Sequence, residues 1–362
     1  MSRIRNSISP ETIEDIKNQI LRNSHIPIQF PKDCEALSKH MYQVTGKTIS
    51  ASTLKRFLGF HKSAFAPAYD TIRICEEFLN IENNKQSSIQ QTTDLIVAFF
   101  NPLHFKKIDK ADVSLQATCR SMAIHIRTNA FLFEKAMGPI AESEFGRAFY
   151  YELFPDYDRL VDFQYKGFIK YLEHEKGYEG KMYGNSILFL KHFWVKDWDS
   201  LEKSWKLILK TYNPSKKIHP LVLGRYYQVS LIGSKFFDPK ETPSILKEIF
   251  MVEKTMPRDK TGMFLDFPGF HYNTCDGLRY TEHYDELYQL SDIALSDFKQ
   301  TDEFKWKGFY DHLYMFKALA LLKMGKKEES KKLVSLINPK QFYFTCKEYY
   351  ERLLNEIKKE LD

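Results

Sequence analysis

Apolar positions in residues 9–81 recur at helical spacing. Ile13, Ile16, Ile20 and Leu21 fall at i, i+3, i+7 and i+8, one stripe of a helix. Ser9-Pro10 stands just before it, an N-cap followed by Pro at the first helical position. Residues 24–32, SHIPIQFPK, hold two prolines and read as a connector. Asp33 then caps a second helix that turns Leu37, Met41 and Val44 inward and stops at Gly46. A third helix, capped by Ser50 or Ser52, carries Leu54, Phe57 and Leu58 on one side and ends at Gly59. Pro67 opens a fourth, along which Ile72, Cys75, Phe78 and Leu79 line up. The pattern predicts a compact bundle of four helices. Residues 82–88, ENNKQSS, are polar and predict a linker, followed by a fifth helix at about 89–100 with Leu95, Ile96 and Phe99.

From about residue 108 the pattern becomes helix, short polar turn, helix. Asp199-Ser-Leu-Glu202 reads as a capping-box start, with Leu201, Trp205, Ile208 and Leu209 at helical spacing behind it. In residues 309–339, Phe309, Leu313, Phe316 and Ala320 form one stripe. Gly325 breaks it, and Leu333, Leu336 and Ile337 form the next. Self-similarity is poor, so the expectation is degenerate helical hairpins rather than clean repeats. The charged last helix, 346–361, suits a solvated terminal cap. Residues 256–277, MPRDKTGMFLDFPGFHYNTCDG, have no helical period and predict a long loop, a place for a ligand or partner. Within residues 264–284, His271, Tyr272, Arg279 and Tyr280 are the side chains best suited to such a contact.

Composition agrees with long helices. Glycine and proline are few, at 15 and 14, and aromatic residues reach 15%, which suits wide helix-on-helix gaps. No run of residues is apolar enough to span a membrane, and the N-terminal residues lack the apolar core of a signal peptide. Five scattered cysteines without a CxxC pair predict free thiols and a reducing, cytoplasmic setting. The net charge is +6, and it is uneven: residues 1–66 hold ten Lys/Arg against five Asp/Glu. A basic head on a near-neutral remainder is the footprint of a polyanion partner.

The segment ISASTLKRFLGF, residues 49–60, sharpens that expectation. As a helix it turns Ser50, Ser52, Thr53 and Arg56 outward, with Lys55 on the flank, and Leu54, Phe57 and Leu58 inward. A helix-turn-helix sets its second helix in the major groove, so it needs short hydroxyls and long cations outside and bulky apolar groups inside. Hydroxyls reach phosphates, and an arginine can fork onto guanine. Lys47, Thr48 and Lys62 flank the helix where phosphates would run. The preceding helix, CEALSKHMYQVTG, is the supporting half, and the link from Gly46 to Ser50 is short enough for the motif.

The stretch LSKHMYQVTGKTISASTLKRFLGF, followed by PAYDTIRICEEFLNI, resembles an N-terminal segment of Bacteroidetes-type helix-turn-helix regulators. Leu37, Thr45, Gly46, Ile49, Ser50, Thr53, Leu54, Lys55, Arg56, Gly59 and Phe60 match its pattern, and Met41 stands where the pattern has Ile. The resemblance covers residues 34–81 and implies a DNA-binding head on a variable helical body. Where the pattern often continues with a Trp-Phe element, this chain has ENNKQSS. Residues 309–339 resemble a tetratricopeptide unit, with Gly325 and Ser330 where that repeat keeps a Gly and a small residue. Together these imply the layout of a peptide-sensing regulator.

Other chemistry finds thinner support. Arg56 and His61 have the R-x4-H spacing of metal-independent helical ribonucleases, but Gly59 ends the helix between them. His271, Cys275 and His283 match no standard metal spacing. There is no P-loop, nucleophile elbow or HExxH, and nothing calls for a cofactor or a metal. The expectation is an all-α, non-enzymatic protein in three parts. Residues 1–81 form a helix-turn-helix domain, 82–107 a linker and connecting helix, and 108–362 an α-solenoid of tetratricopeptide-like hairpins. Its partners would be duplex DNA, through Lys47, Thr48, Ser50, Ser52, Thr53, Lys55, Arg56 and Lys62, and a peptide, a protein or a second copy of itself. The alternatives are an interaction scaffold with a docking head, and a helical ribonuclease.

Overall fold

A computed structural model describes residues 9–24, 26–62, 67–100, 113–256, 269–297 and 304–361. These residues are helical throughout their regular structure, with no strand among them. No helix of the described residues is long and apolar enough to cross a membrane. The chain divides into two compact units, residues 1–95 and 96–362.

In the first unit, α1 (Pro10–Asn23) starts as expected: the Ser9 side chain accepts the Thr12 N–H at 3.1 Å, with Pro10 at the first helical position. Leu21 departs from the predicted stripe and is exposed. The next helix, α2 (Asp33–Thr45), begins at Asp33 without using it as a cap. The Asp33 carboxylate turns backward and accepts the N–H groups of Phe30 at 2.7 Å and Gln29 at 2.9 Å, bonds that hold its pKa below the usual value. Gly46 closes α2 in the left-handed region, where a side chain would be strained. Then come α3 (Ala51–Phe57) and α4 (Tyr69–Phe100), whose first residue lies two beyond the predicted Pro67 start. Ile16, Ile20, Cys34, Leu37, Met41, Ile49, Leu54, Phe57, Ile72, Cys75, Phe78 and Leu79 form one buried core.

The predicted linker at 82–88 is corrected: α4 runs through it without a break. Glu, Asn, Lys, Gln and Ser are polar but none stops a helix, and neither Gly nor Pro occurs there. Of the expected connecting region up to 107, residues 101–107 lie outside the described residues.

The second unit holds α5 (Val113–Arg127), α6 (Ala130–Glu142), and α7 (Glu144–Gly146), which passes into a π-helical turn, Arg147–Tyr151. A second π-helical turn, Leu160–Gln164, leads into α8 (Tyr165–His174). Then follow α9 (Tyr178–Trp194), α10 (Trp198–Thr211), α11 (Pro220–Phe237), α12 (Thr242–Glu253) and α13 (Gly269–Thr281). The last four are α14 (Tyr284–Asp297), α15 (Phe304–Lys323), α16 (Lys327–Leu336) and α17 (Lys347–Leu361). Helices 9, 11, 13, 15 and 17 pack in succession as one row, and 10, 12, 14 and 16 each lie against row members next to them in sequence. Packing of near neighbours in sequence is the signature of a helical-repeat solenoid.

The α15–α16 hairpin follows the sequence closely. Gly325 turns it at φ +80°, and the buried Ser330 hydroxyl donates to the Ala318 carbonyl at 2.8 Å. Leu313, Phe316 and Ala320 are buried, Leu336 is exposed against expectation, and the side chain of Phe309 lies outside the described residues. The capping-box start at Asp199 is corrected by two residues: Asp197 caps α10 through its carboxylate and the Ser200 N–H at 3.2 Å. The α17 helix is amphipathic rather than wholly solvated, burying Tyr350, Leu353, Leu354, Ile357 and Leu361.

The largest departure is the predicted 256–277 loop. Residues 257–268 lie outside the described residues, but Gly269–Thr281 form α13, buried on nearly every side. A helix with no water-facing side has no polar stripe, so its apolar period disappears from the sequence. It also lies very close to α11. A Cβ at Gly224 would come within 2.6 Å of the Phe270 carbonyl oxygen, and one at Gly277 within 2.9 Å of the Gln228 Cα. The helix backbones meet where side chains would hold them apart.

Candidate nucleic-acid interface

The two faces of α3 are sharply unlike. Leu54 is fully buried and Phe57 is 3% exposed, while Ser52 and Arg56 stand exposed. Burying two such apolar side chains contributes roughly 3–6 kcal/mol before entropy is charged against it, which fixes the helix roll. Ser50 is the cap: its hydroxyl accepts the Thr53 N–H at 3.1 Å and lies 2.9 Å from the Thr53 hydroxyl. The Arg56 Nε donates to the Ser52 carbonyl at 3.4 Å. Gly59 ends this segment at φ +86°, and the chain leaves through exposed His61 and Lys62.

The approach to α3 is held by its neighbour. The Ser38 hydroxyl donates to the Ile49 carbonyl at 2.5 Å, and Ile49 is itself buried. Thr48 and Ser50 on either side are exposed, as alternation about an inward Ile49 requires. The structure therefore brings Ser50, Ser52, Thr53 and Arg56 onto one short helix.

The lysines are differently placed. Lys47 is ion-paired with Glu77, and Lys55 lies 3.8 Å from a Glu35 oxygen. Both are partly shielded; Lys62 is exposed beyond the helix. The charge count changes as well. Residues 1–95, the compact unit, hold twelve Lys/Arg against ten Asp/Glu, a net of +2, because α4 adds acids. The basic excess of residues 1–66 is thus largely offset within the same fold.

The four side chains expected on a 264–284 contact loop lie in the helix α13 instead, and the loop is corrected to a helix. His271 is 1% exposed, with its Nε2 3.2 Å from a Glu253 carboxylate oxygen. Tyr272 donates to the Tyr350 hydroxyl at 2.7 Å. Arg279 forks onto Asp276 through Nε at 3.2 Å and Nη2 at 2.9 Å, and its guanidinium lies 3.9 Å from the Tyr280 ring centre. The Tyr280 hydroxyl accepts the Trp194 indole N–H at 2.9 Å. Aromatic and polar groups in this segment bond α13 to its neighbours α9, α12 and α17, as a buried helix must do for its polar atoms.

All five cysteines are buried and free. Burial pushes the thiols of Cys75 and Cys119 up to about 12. Among the described residues no group of three or more His, Cys, Asp or Glu side chains is placed to hold a metal ion.

Sequence reasoning did not single out a second cluster, in the body. Tyr157, Trp194, Arg225, Asp276 and Tyr349 come from five separate segments and line one cleft. The only local signal is Arg225 alone in the apolar run PLVLGRYYQVSL.

Comparison of the chain with protein families, with curated proteins and with solved structures gives no match. The class defined by the fold is an all-α protein with a body of helical-repeat type.

Proposed function

We propose that the protein is a DNA-binding transcriptional regulator. Its head sets α3 in the major groove, and its helical body takes a peptide or protein effector or pairs with a second copy. One observation carries the reading: α3 commits Leu54 and Phe57 to the core and leaves Ser52 and Arg56 to solvent. That division is what groove entry demands. In this reading Arg56 reads a base edge, Ser50, Ser52 and Thr53 meet phosphate or base, and Thr48 and Lys62 meet the flanking backbone. Lys47 and Lys55 exchange their carboxylate partners for phosphate on binding.

The test is a salt titration of binding to random duplex DNA, followed by sequence selection. Affinity should fall steeply as salt rises, because phosphate contacts release counterions. Arg56→Ala should cost roughly 1–3 kcal/mol on the selected site and relax one base preference, while Lys62→Ala should weaken all sequences alike. Binding that is unchanged in both variants, or absent at low salt, retires the reading.

A second reading has its own support. The Lys47–Glu77 and Lys55–Glu35 pairs and the net of +2 on residues 1–95 suit a head that docks on a protein. Such a head would show no salt-dependent affinity for DNA. No observation favours ribonuclease chemistry over either.

A further inference from the structure

The body buries an arginine that the fold leaves partly unsatisfied. Arg225, on α11, is 5% exposed. Its Nη1 donates to the Gln228 Oε1 at 2.7 Å, and its Nη2 donates to the Tyr157 hydroxyl, whose ring centre lies 5.0 Å from the guanidinium carbon. Its Nε is buried without a hydrogen-bond partner. The acid of this network is Asp276, reached through Gln228, whose Nε2 donates to it at 2.7 Å. Asp276 is also forked by Arg279. Arg279 thus holds the carboxylate directly while Arg225 reaches it only through a neutral amide, and a buried positive charge with an unused donor is costly to keep.

Arg225 lines a cleft walled by Tyr157, Trp194, Tyr349 and Asp276. The Trp194 and Tyr349 rings stack there at 5.5 Å between centres. The cleft opens to solvent and is a narrow slot, its free volume ≈20 Å3. That space takes one or two small oxygens and no bulky group. The walls come from helices 9, 11, 13 and 17, members of one packed row, and from the turn that carries Tyr157.

We propose that this cleft binds an organic carboxylate, with Arg225 Nε donating to it and the aromatic walls flanking the group that carries it. A carboxylate matches the unused Arg225 Nε donor and the narrow space; a phosphate brings more oxygens than the cleft can seat. The inference deepens the effector half of the reading above and rests on it only in treating the body as a ligand-binding unit.

The test is titration calorimetry of the full chain, without DNA, against phenylacetate, N-acetyl-Gly-Gly-Phe as free acid and as amide, and inorganic phosphate. The free acids should bind, the amide should bind about tenfold or more weakly, and Arg225→Gln should lose a similar factor. A peptide acid tighter than phenylacetate supports the site and assigns it to a peptide terminus; equal affinities support it and assign it to small acids. Equal binding of acid and amide, phosphate tighter than either acid, or no binding of any acid overturns the proposal and leaves a water site. The acid–amide comparison uses the unaltered protein, so misfolding of the Arg225 variant cannot decide the matter. DNA binding measured alongside keeps the two readings apart: loss of carboxylate binding alone leaves the regulator standing, and loss of DNA binding alone leaves the cleft.

Discussion

The α3 and α13 helices carry similar chemistry to opposite ends. In α3, hydroxyls and a guanidinium face solvent while Leu54 and Phe57 face the core. In α13, an imidazole, a carboxylate, an amide and a hydroxyl are all buried, and only Arg279 and Tyr280 keep partial exposure. A polar residue says little by itself about surface or site. What distinguishes the two is whether the helix has a side facing water. The first buries only apolar side chains; the second must pair buried polar groups, as His271 does with Glu253 and Asp276 does with Gln228.

The largest expected effect breaks the first side of that comparison. Phe57→Ala opens the head core and should cost about 3–5 kcal/mol, whereas Ser52→Ala on the opposite face should stay within about 0.5 kcal/mol. Chemical denaturation followed by circular dichroism measures both. Equal effects would mean that α3 does not have one wet and one dry side.

The next effect belongs to the buried body and to acid. His312 is fully buried and stacked on Tyr350 with 3.8 Å between ring centres, and burial holds its pKa well below the usual histidine value. In the unfolded chain the same imidazole takes up a proton at about pH 6.5. The unfolded state therefore binds more protons as pH falls below that value, and stability drops with it. The contribution is complete above the unfolded pKa and erodes at lower pH. His312→Phe should flatten the pH dependence of the melting temperature between about pH 6.5 and 5. An unchanged slope would place the acid sensitivity elsewhere.

The same contrast explains what could be read in advance. Ser9 as a cap, a serine cap at Ser50 or Ser52 that the structure gives to Ser50, Gly46, Gly59 and Gly325 as helix stops, and the Leu54–Phe57 stripe all follow from local rules, because each needs only the backbone nearby and a water-facing side. The continuity of α4 was hidden because a polar stretch without Gly or Pro resembles a linker and a helix equally. The α13 helix was hidden because burial on all sides erases the period. The four hydroxyl and guanidinium positions on α3 were legible as a group. The shielding of Lys47 and Lys55 was not, since Glu77 and Glu35 lie on other helices and only the fold brings them close. The Arg225 cleft draws on segments from Tyr157 to Tyr350, and no local pattern can join residues so far apart.

The smallest effect on stability gives the sharpest test of the head. Lys47 and Glu77 are both more than a third exposed, so their ion pair contributes little, and Glu77→Gln should change stability by less than about 1 kcal/mol. Its effect on binding depends on which reading holds. On a DNA-binding head the substitution removes a negative charge beside the groove-facing helix and releases Lys47 for phosphate. Affinity for random duplex should rise, and the salt slope should steepen by about one unit. On a protein-docking head the pair belongs to the surface that meets the partner, and DNA affinity should stay negligible with either residue. Fluorescence anisotropy with a labelled duplex across a salt series separates these outcomes, since a stability change this small leaves the folded population untouched. A steeper slope with unchanged melting would assign Lys47 to the interface from which Glu77 now withholds it.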